Sequence, residues 1–343
     1  MFPFKKKQSE EEVEQQLQEQ QDSHLPARKR RKEPIKPWGR KERYLVLSIL
    51  LFTTLTSAVL AMAARDWKLP GLPKLSFSNL NLFDGGEIII ENKNKNKDSQ
   101  YESIIAKFRN KTNDLSGTYG LYVVDLTTSD SYGLAQNEIF QAASLIKLPT
   151  MVAYYKEVEK GNIKPTDKYV LKDADKIDGS GSLQYEKSGK AYTYQQLVDL
   201  MGKQSDNTAF NVMTKKIGEE KINTYTLEFG MAKTSLANND TTPADIGIFF
   251  EKLWKGKLIS DQNKEMLLTS LTDTIYEDFL PKGIPEDIRV AHKFGREVHV
   301  LNDAGIIYIE KPFVLVLMTK GIVDKEVEEI FPELVRDIYT ALN

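Results

Sequence analysis

Between Tyr44 and Ala64 the chain runs for 21 residues, YLVLSILLFTTLTSAVLAMAA, without one charged side chain. This stretch constrains everything around it, because a helix of about 20 apolar residues matches the hydrocarbon thickness of a bilayer. The residues before it are basic, RKRRKEPIKPWGRKER. A Lys/Arg excess on that side places the N-terminus in the cytoplasm and the remainder of the chain outside. The rival is a cleaved signal peptide, since Ala61-Met62-Ala63 resembles an A-x-A site. A signal's apolar core is roughly 7–15 residues; this one is longer and follows a long tail. The same flanks argue against a buried core helix. The expectation is a single-pass anchor at 44–64 in the cell membrane, with an extracytoplasmic domain behind it.

The anchor divides the chain. Residues 1–43 combine a Glu/Gln run, SEEEVEQQLQEQQD, with the basic run, and hold too few apolar side chains to offset the entropy of ordering. They are expected to form a disordered or frayed cytoplasmic tail. Residues 65–100 read as a stalk. WKLPGLPKLSF has two prolines, ENKNKNKD is hydrophilic and of low complexity, and GEIIIE between them is a short strand or a sticky patch.

From Tyr101 to Asn343 the composition becomes globular. GTYGLYVVDLTT and SYGLA read as a hairpin, and IRVAHKF, VLNDAGIIYIE and PFVLVLMTK as three further strands. Helical spacing marks YESIIAKFRNKTN, the stretch from Ser144 to Gly161, several segments up to 271, and KEVEEIFPELVRDIYTAL. Strands first and last, with helices between and at both ends, predict an α+β sandwich. Its five-stranded antiparallel sheet is flanked by terminal helices and joined to a helical subdomain.

Several chemistries are excluded by what the chain lacks. It has no cysteine, so disulfides, thiolate zinc sites and thiol nucleophiles drop out together. Its three histidines, His24, His292 and His299, argue against a histidine-rich metal site. A net charge of −2 gives no global pull toward nucleic acid. No cofactor and no metal is expected, and the chain is expected to be a monomer.

Residues 142–149 read AASLIKLP. On a helix, i and i+3 share a face, so Lys147 would lie one turn from the Ser144 hydroxyl. Pro149 is tolerated only near a helix start, which places that start near Ser144. A serine hydroxyl becomes a good nucleophile only when a base takes its proton. Bringing a lysine from about 10.4 to near neutrality costs about 4 kcal/mol, so the site would have to be partly dry. The plainer reading is a capping serine beside a solvated lysine. Ser205-Asp206-Asn207, between two helical segments, could likewise point into a cleft or simply cap a helix. Lys293, late in a strand, is followed by Gly295, where backbone can approach a ligand closely.

In this order, Ser-x-x-Lys, Ser-Asp-Asn and Lys-x-Gly resemble the motif set of the penicillin-binding protein and class A β-lactamase superfamily. The contexts DGSGSLQY, GMAKTSL, DTTPADI and LNDAGIIY fit as well, and the resemblance covers roughly 101–343. It implies a β-lactamase/transpeptidase-like fold and a serine hydrolase acting on a β-lactam or peptidoglycan peptide. Residue by residue, it implies Ser144 as nucleophile, Lys147 as base and Ser205 as the shuttle that protonates the leaving nitrogen. Asn207 would hold the substrate's side-chain amide, and Lys293 would supply positive field. The backbone N–H groups of Ser144 and Arg296, beside Gly295, would form the oxyanion hole.

Two departures qualify this. The third motif carries Phe294 where the family has a hydroxyl that contacts the substrate carboxylate. Either Arg296 or Arg289 substitutes, or the substrate differs, and restoring threonine at 294 is expected to improve binding of carboxylate-bearing β-lactams. The second departure is the absence of the omega-loop glutamate that activates water for deacylation. TSLANNDTTP runs straight through without one. Slow turnover is therefore expected: a weak β-lactamase, a D,D-peptidase-like enzyme or a β-lactam trap. A non-catalytic cell-wall-binding module is the main alternative. A Ser-His-Asp triad of Ser144, His292 or His299, and Asp303 is disfavoured, because His292 should face away from Lys293's side of the strand.

Overall fold

The computed structural model describes residues 39–63, 88–91 and 95–343. The expected tail up to residue 38, and the stalk apart from 88–91 and 95–100, lie outside the described residues. The chain forms two units, 1–79 and 80–343. In the first, α1 spans Arg40–Ala63 as one continuous helix. Among the described residues no helix is long and apolar enough to cross a membrane, though several side chains of α1 lie outside them.

The second unit is organised by strands that are apolar on both faces. Along Thr118–Asp125 (β2), Tyr119, Leu121 and Val123 join one core while Tyr122 and Val124 join the other. Along Phe313–Lys320, Phe313, Leu315 and Leu317 alternate with Val314, Val316 and Met318 in the same way. A period of two puts successive side chains on opposite faces, so these strands need cover on both sides. With Ile88–Glu91 as β1, Ser131–Leu134 as β3, Val290–Glu297 as β4, Val300–Ile307 as β5 and Phe313–Lys320 as β6, the sheet runs β1-β3-β2-β6-β5-β4. Every pairing is antiparallel. The five strands read from the sequence are all present, and β1 adds a sixth at the edge beside β3.

The outer face is covered by Lys95–Thr112 (α2) and the C-terminal helix Asp324–Leu342. Val327, Phe331, Leu334, Val335 and Ile338 recur at helical spacing and bury against the sheet with Ile104, Ile105 and Phe108. The inner face packs on the helical subdomain, inserted between β3 and β4. Its helices are Lys147–Glu159 (α3), Tyr194–Lys203 (α4), Asn207–Ile217 (α5), Glu219–Glu228 (α6), Pro243–Trp254 (α7) and Asp261–Ser270 (α8), which makes the C-terminal helix α9. Because the insertion leaves from β3 and returns into β4, its first turn lies against the edge strand that follows it.

Candidate active site

Three short segments meet at that edge. The first is a 3-10 turn, Ala143–Ile146, which runs directly into α3 at Lys147. The regular helix thus begins three residues later than the sequence suggests, with Pro149 in its first turn, where its missing N–H costs nothing. Ala143 sits at φ 48°, a conformation rare for a residue with a side chain. Buried Asn302 of β5 donates to the Gln141 and Ala142 carbonyls at 2.9 and 3.2 Å, and fixes the chain entering this turn.

The second segment links α4 to α5. Ser205 is 1 % exposed and also left-handed, at φ 53°. The capping reading of Ser-Asp-Asn holds for its middle residue: Asp206 Oδ1 accepts from Ala209 N at 2.8 Å and caps α5. Its Oδ2 accepts from Leu183 N at 2.9 Å, tying down the DGSGSLQY loop. Gly181 in that loop, at φ +97°, admits no side chain, since a Cβ there would lie 2.2 Å from Asp206 Cγ. With Asp206 used for capping, Ser205 and Asn207 are left to face the cleft.

The third segment is β4. Lys293 points inward, and Gly295 lies against the turn: a Cβ at 295 would sit 2.9 Å from Ser144 N. Here glycine is required by contact, not by φ.

Together these segments form a hydrogen-bonded cluster. Lys147 Nζ lies 2.9 Å from Ser144 Oγ, 3.1 Å from Ser205 Oγ and 2.7 Å from Asn207 Oδ1, and also donates to the Ser205 carbonyl. Lys293 Nζ lies 2.9 Å from Ser205 Oγ and donates to the Phe294 carbonyl at 2.7 Å. Asn207 Nδ2 donates to the Asp178 carbonyl at 2.9 Å, which aims its Oδ1 at the lysine. Lys147 is 2 % exposed and Lys293 is 1 % exposed. Burial pushes the Lys147 ammonium down to about 7, against the opposing fields of Asp206 and Glu297. Burial, and then the neighbouring Lys147 charge, hold Lys293 well below the ordinary lysine range, with Asp303 opposing. An amine near neutrality, 2.9 Å from a hydroxyl, can accept its proton. A second hydroxyl between two amines can pass it on.

Of the residues singled out in the sequence, Ser144, Lys147, Ser205, Asn207, Lys293 and Gly295 are brought together. The Arg296 side chain is not: its guanidinium pairs with Glu328 of α9 at 2.6 Å and Asp324 at 3.5 Å. Nor does Arg289 reach the cleft, because it pairs with Glu265 at 2.8 Å and lies 4.6 Å over the Tyr308 ring. Phe294 departs further from expectation. Its ring is stacked between Tyr276 and Phe279, at 4.9 and 4.7 Å, in the outer core. Asp206 and Asn302 were missed as positioning residues, although both lie inside quoted motifs. Polarity flagged them, but only the fold shows that Asp206 holds the Leu183 and Ala209 N–H groups and Asn302 the Gln141 and Ala142 carbonyls.

His292 faces away from this cluster, as strand alternation requires. It is fully buried, with Nδ1 2.8 Å from Asp303 Oδ1 and Nε2 3.2 Å from both Glu277 Oε1 and Thr274 Oγ1. Burial alone would push the imidazole down, but the Asp303 and Glu277 carboxylates overcome it and hold it at about 9. A raised histidine stabilises the fold fully below its unfolded value of about 6.5, and that stability is lost as pH rises through about 9. The stability difference between wild type and His292→Gln, followed by urea unfolding, should therefore shrink by on the order of 3 kcal/mol from pH 6 to pH 10. A difference constant across that range would show the imidazole to be neutral throughout.

A profile of the beta-lactamase enzyme family matches residues 101–342. The chain belongs to that family. Among its relatives, beta-lactamase VEB-1 of Pseudomonas aeruginosa is 20 % identical over 266 residues, covering 70 % of this chain and 89 % of that protein. Beta-lactamase 3 of Bacillus cereus is 22 % identical over 237 residues, covering 64 % and 73 %. Among solved structures, PBP-A is 26 % identical with a TM-score of 0.66, covering 71 % of this chain and 96 % of its own. The beta-lactamase from Sphaerobacter thermophilus is 27 % identical with a TM-score of 0.65, over the same shares of the two chains. In this beta-lactamase family member the fold brings Lys147 and Lys293 into hydrogen-bonding distance of Ser205, and Lys147 into that of Ser144.

Proposed function

We propose that this chain is a membrane-anchored serine acyl enzyme, acylated at Ser144 by a β-lactam or a related amide and slow to release the acyl group. The observation that carries acylation is the 2.9 Å contact between Ser144 Oγ and a buried amine held at about 7. Lys147 takes the Ser144 proton as Oγ attacks the carbonyl carbon. Ser205 Oγ, between Lys147 and Lys293, delivers a proton to the leaving nitrogen. The Ser144 and Arg296 backbone N–H groups receive the developing oxyanion, a pairing supported by the close passage of β4 past Ser144 N.

Slow deacylation rests on the segment joining α6 to α7. Residues 229–250 contain no glutamate and two aspartates. Asp245 accepts from Lys233 N at 2.7 Å and Thr234 Oγ1 at 2.9 Å, and so is engaged within the segment. Asp240 pairs in register with Gln141 in a two-stranded ribbon, and Asn239 O takes Ala142 N at 2.7 Å. These pairings close the connection onto the nucleophile's turn, and the connection carries no glutamate. The likeness to PBP-A, a mutant of which is described as an acyl-enzyme complex with penicillin G, supports formation of an ester at Ser144.

The anchor is supported by the uncharged run at 44–64 behind the basic segment, and by the exposure of Leu45, Leu47, Ile49, Leu50, Leu51 and Phe52. Fluorescent penicillin and the full-length chain test both parts. The expected result is a stoichiometric adduct that survives for hours by intact mass, is absent in Ser144→Ala and sediments with membranes after carbonate extraction. An adduct lost within seconds would make the protein a true hydrolase. No adduct at all would leave the binding-module reading in place.

A further inference from the structure

We propose that Tyr276 is the residue that positions Ser205 for proton delivery, by holding the peptide that enters Ser205 against the strand that carries Lys293. This rests on the reading of Ser144 as nucleophile and Ser205 as shuttle, and it gives a role to a segment that none of the three motifs contains.

Ser205 can pass a proton only while its hydroxyl lies between two amines that come from different parts of the fold. Lys147 Nζ, from α3, is 3.1 Å away and Lys293 Nζ, from β4, is 2.9 Å away. The backbone at Ser205 is left-handed, at φ 53°, which a residue with a side chain keeps only where its surroundings hold it there. On the C-terminal side the hold is Lys147, which donates to the Ser205 carbonyl. On the N-terminal side, the Gln204 carbonyl lies in the same peptide plane as Ser205 N. A group that grips this oxygen therefore fixes the plane from which φ at Ser205 is turned. The Tyr276 hydroxyl grips it, at 3.2 Å.

Tyr276 belongs to the connection between α8 and β4, which is pinned on two sides. Toward the helical subdomain, Ile275 N donates to the Lys203 carbonyl at 3.1 Å, and Lys203 Nζ donates to the Thr272 carbonyl. Toward the sheet, Thr274 Oγ1 lies 3.2 Å from His292 Nε2, and Leu280 N donates to Asp303 Oδ2 at 3.1 Å. Between these pins, Tyr276 reaches both sides itself. Its hydroxyl is on Gln204, and its ring stacks on Phe294 at 4.9 Å and 22°. Phe294 follows Lys293 directly, and Phe279 stacks on the same ring at 4.7 Å. A ring fixed against β4 and a hydroxyl fixed to the peptide before Ser205 together set the span between Ser205 Oγ and Lys293 Nζ. The aromatic side chain at 294, where the motif has a hydroxyl, is thus the surface on which this brace rests.

Tyr276 touches no reacting atom. The Ser144 proton passes to Lys147 as Oγ bonds to the acyl carbon. Ser205 gives its own proton to the departing nitrogen as the C–N bond breaks, and Lys147 restores it. The exchange balances without a co-reactant, and it is the Ser205 step that misplacement would slow.

Tyr276→Phe keeps the ring stack and deletes the hydroxyl. Acylation of the full-length chain by benzylpenicillin, followed by intact mass, should slow about fivefold, the factor that one neutral hydrogen bond is worth. The same substitution in Ser205→Ala, followed over a day at raised penicillin, should change the residual rate by less than about twofold, because the hydroxyl that Tyr276 positions is gone. Equal slowing in both backgrounds would mean that Tyr276 acts on the fold at large. An unchanged rate in Tyr276→Phe alone would mean that Ser205 needs no such hold. Either result overturns the proposal and leaves the acyl-enzyme reading standing. An adduct missing from the wild-type chain sinks the acyl-enzyme reading, and this proposal with it.

Discussion

Lys147→Met should slow acylation of Ser144 by roughly 10²–10⁴-fold, the range a positioned general base contributes. The substitution keeps an apolar stem in the pocket and removes the amine that lies 2.9 Å from Ser144 Oγ. It also leaves the Ser205 carbonyl and Asn207 Oδ1 without their donor, so the thermal midpoint must be measured alongside the rate. The pH profile separates loss of a base from simple loosening. Lys147 acts only when neutral, so the wild-type rate should climb with pH, with a midpoint at about 7, and level off above it. In the methionine variant that limb should vanish. A variant that keeps both the limb and most of the rate would show that another group takes the proton.

Phe294→Thr should destabilise the fold by about 3–5 kcal/mol, the usual range for emptying a buried phenylalanine site. The ring is 6 % exposed and stacks on Tyr276 and Phe279, and Phe279 in turn meets Phe331 edge-on at 5.9 Å. Threonine would remove these contacts and bury a hydroxyl among aromatic rings. The consequence extends to the site, because Tyr276 OH donates to the Gln204 carbonyl, one residue before Ser205. The improved carboxylate binding suggested by the motif alone is therefore not the expected outcome. Urea unfolding checks the stability, and the acylation rate with benzylpenicillin checks the function. A loss below about 1 kcal/mol together with faster acylation would show that the ring is dispensable and that the hydroxyl reaches substrate.

Much of this was legible without coordinates, for a reason that differs by level. The strands were readable because two-sided burial writes continuous apolar runs, such as VLVLM in β6 and LYVV in β2. The contact between Ser144 and Lys147 was readable because three residues along a helical turn bring side chains to one face whatever surrounds them. The closing helix was readable from Val327, Phe331, Leu334 and Val335 alone.

What lay outside that reach was set by partners far away in the chain. Ser205 is 61 positions from Ser144 and Lys293 another 88 beyond, and nothing local brings Ser205 Oγ to 3.1 Å from Lys147 and 2.9 Å from Lys293. The fall of the Lys147 pKa to about 7 comes from burial by remote segments, which no spacing encodes. The direction of Phe294, the pairing of Arg296 with α9 and the capping by Asp206 were each chosen among local options by the neighbours that folding supplied. Sequence by itself determined which residues could do the chemistry and which elements would carry them. Tertiary structure alone decided which of those side chains are dry, which are already paired and which face the cleft, because desolvation and pairing depend on the whole packed surroundings of a group and not on its place along the chain.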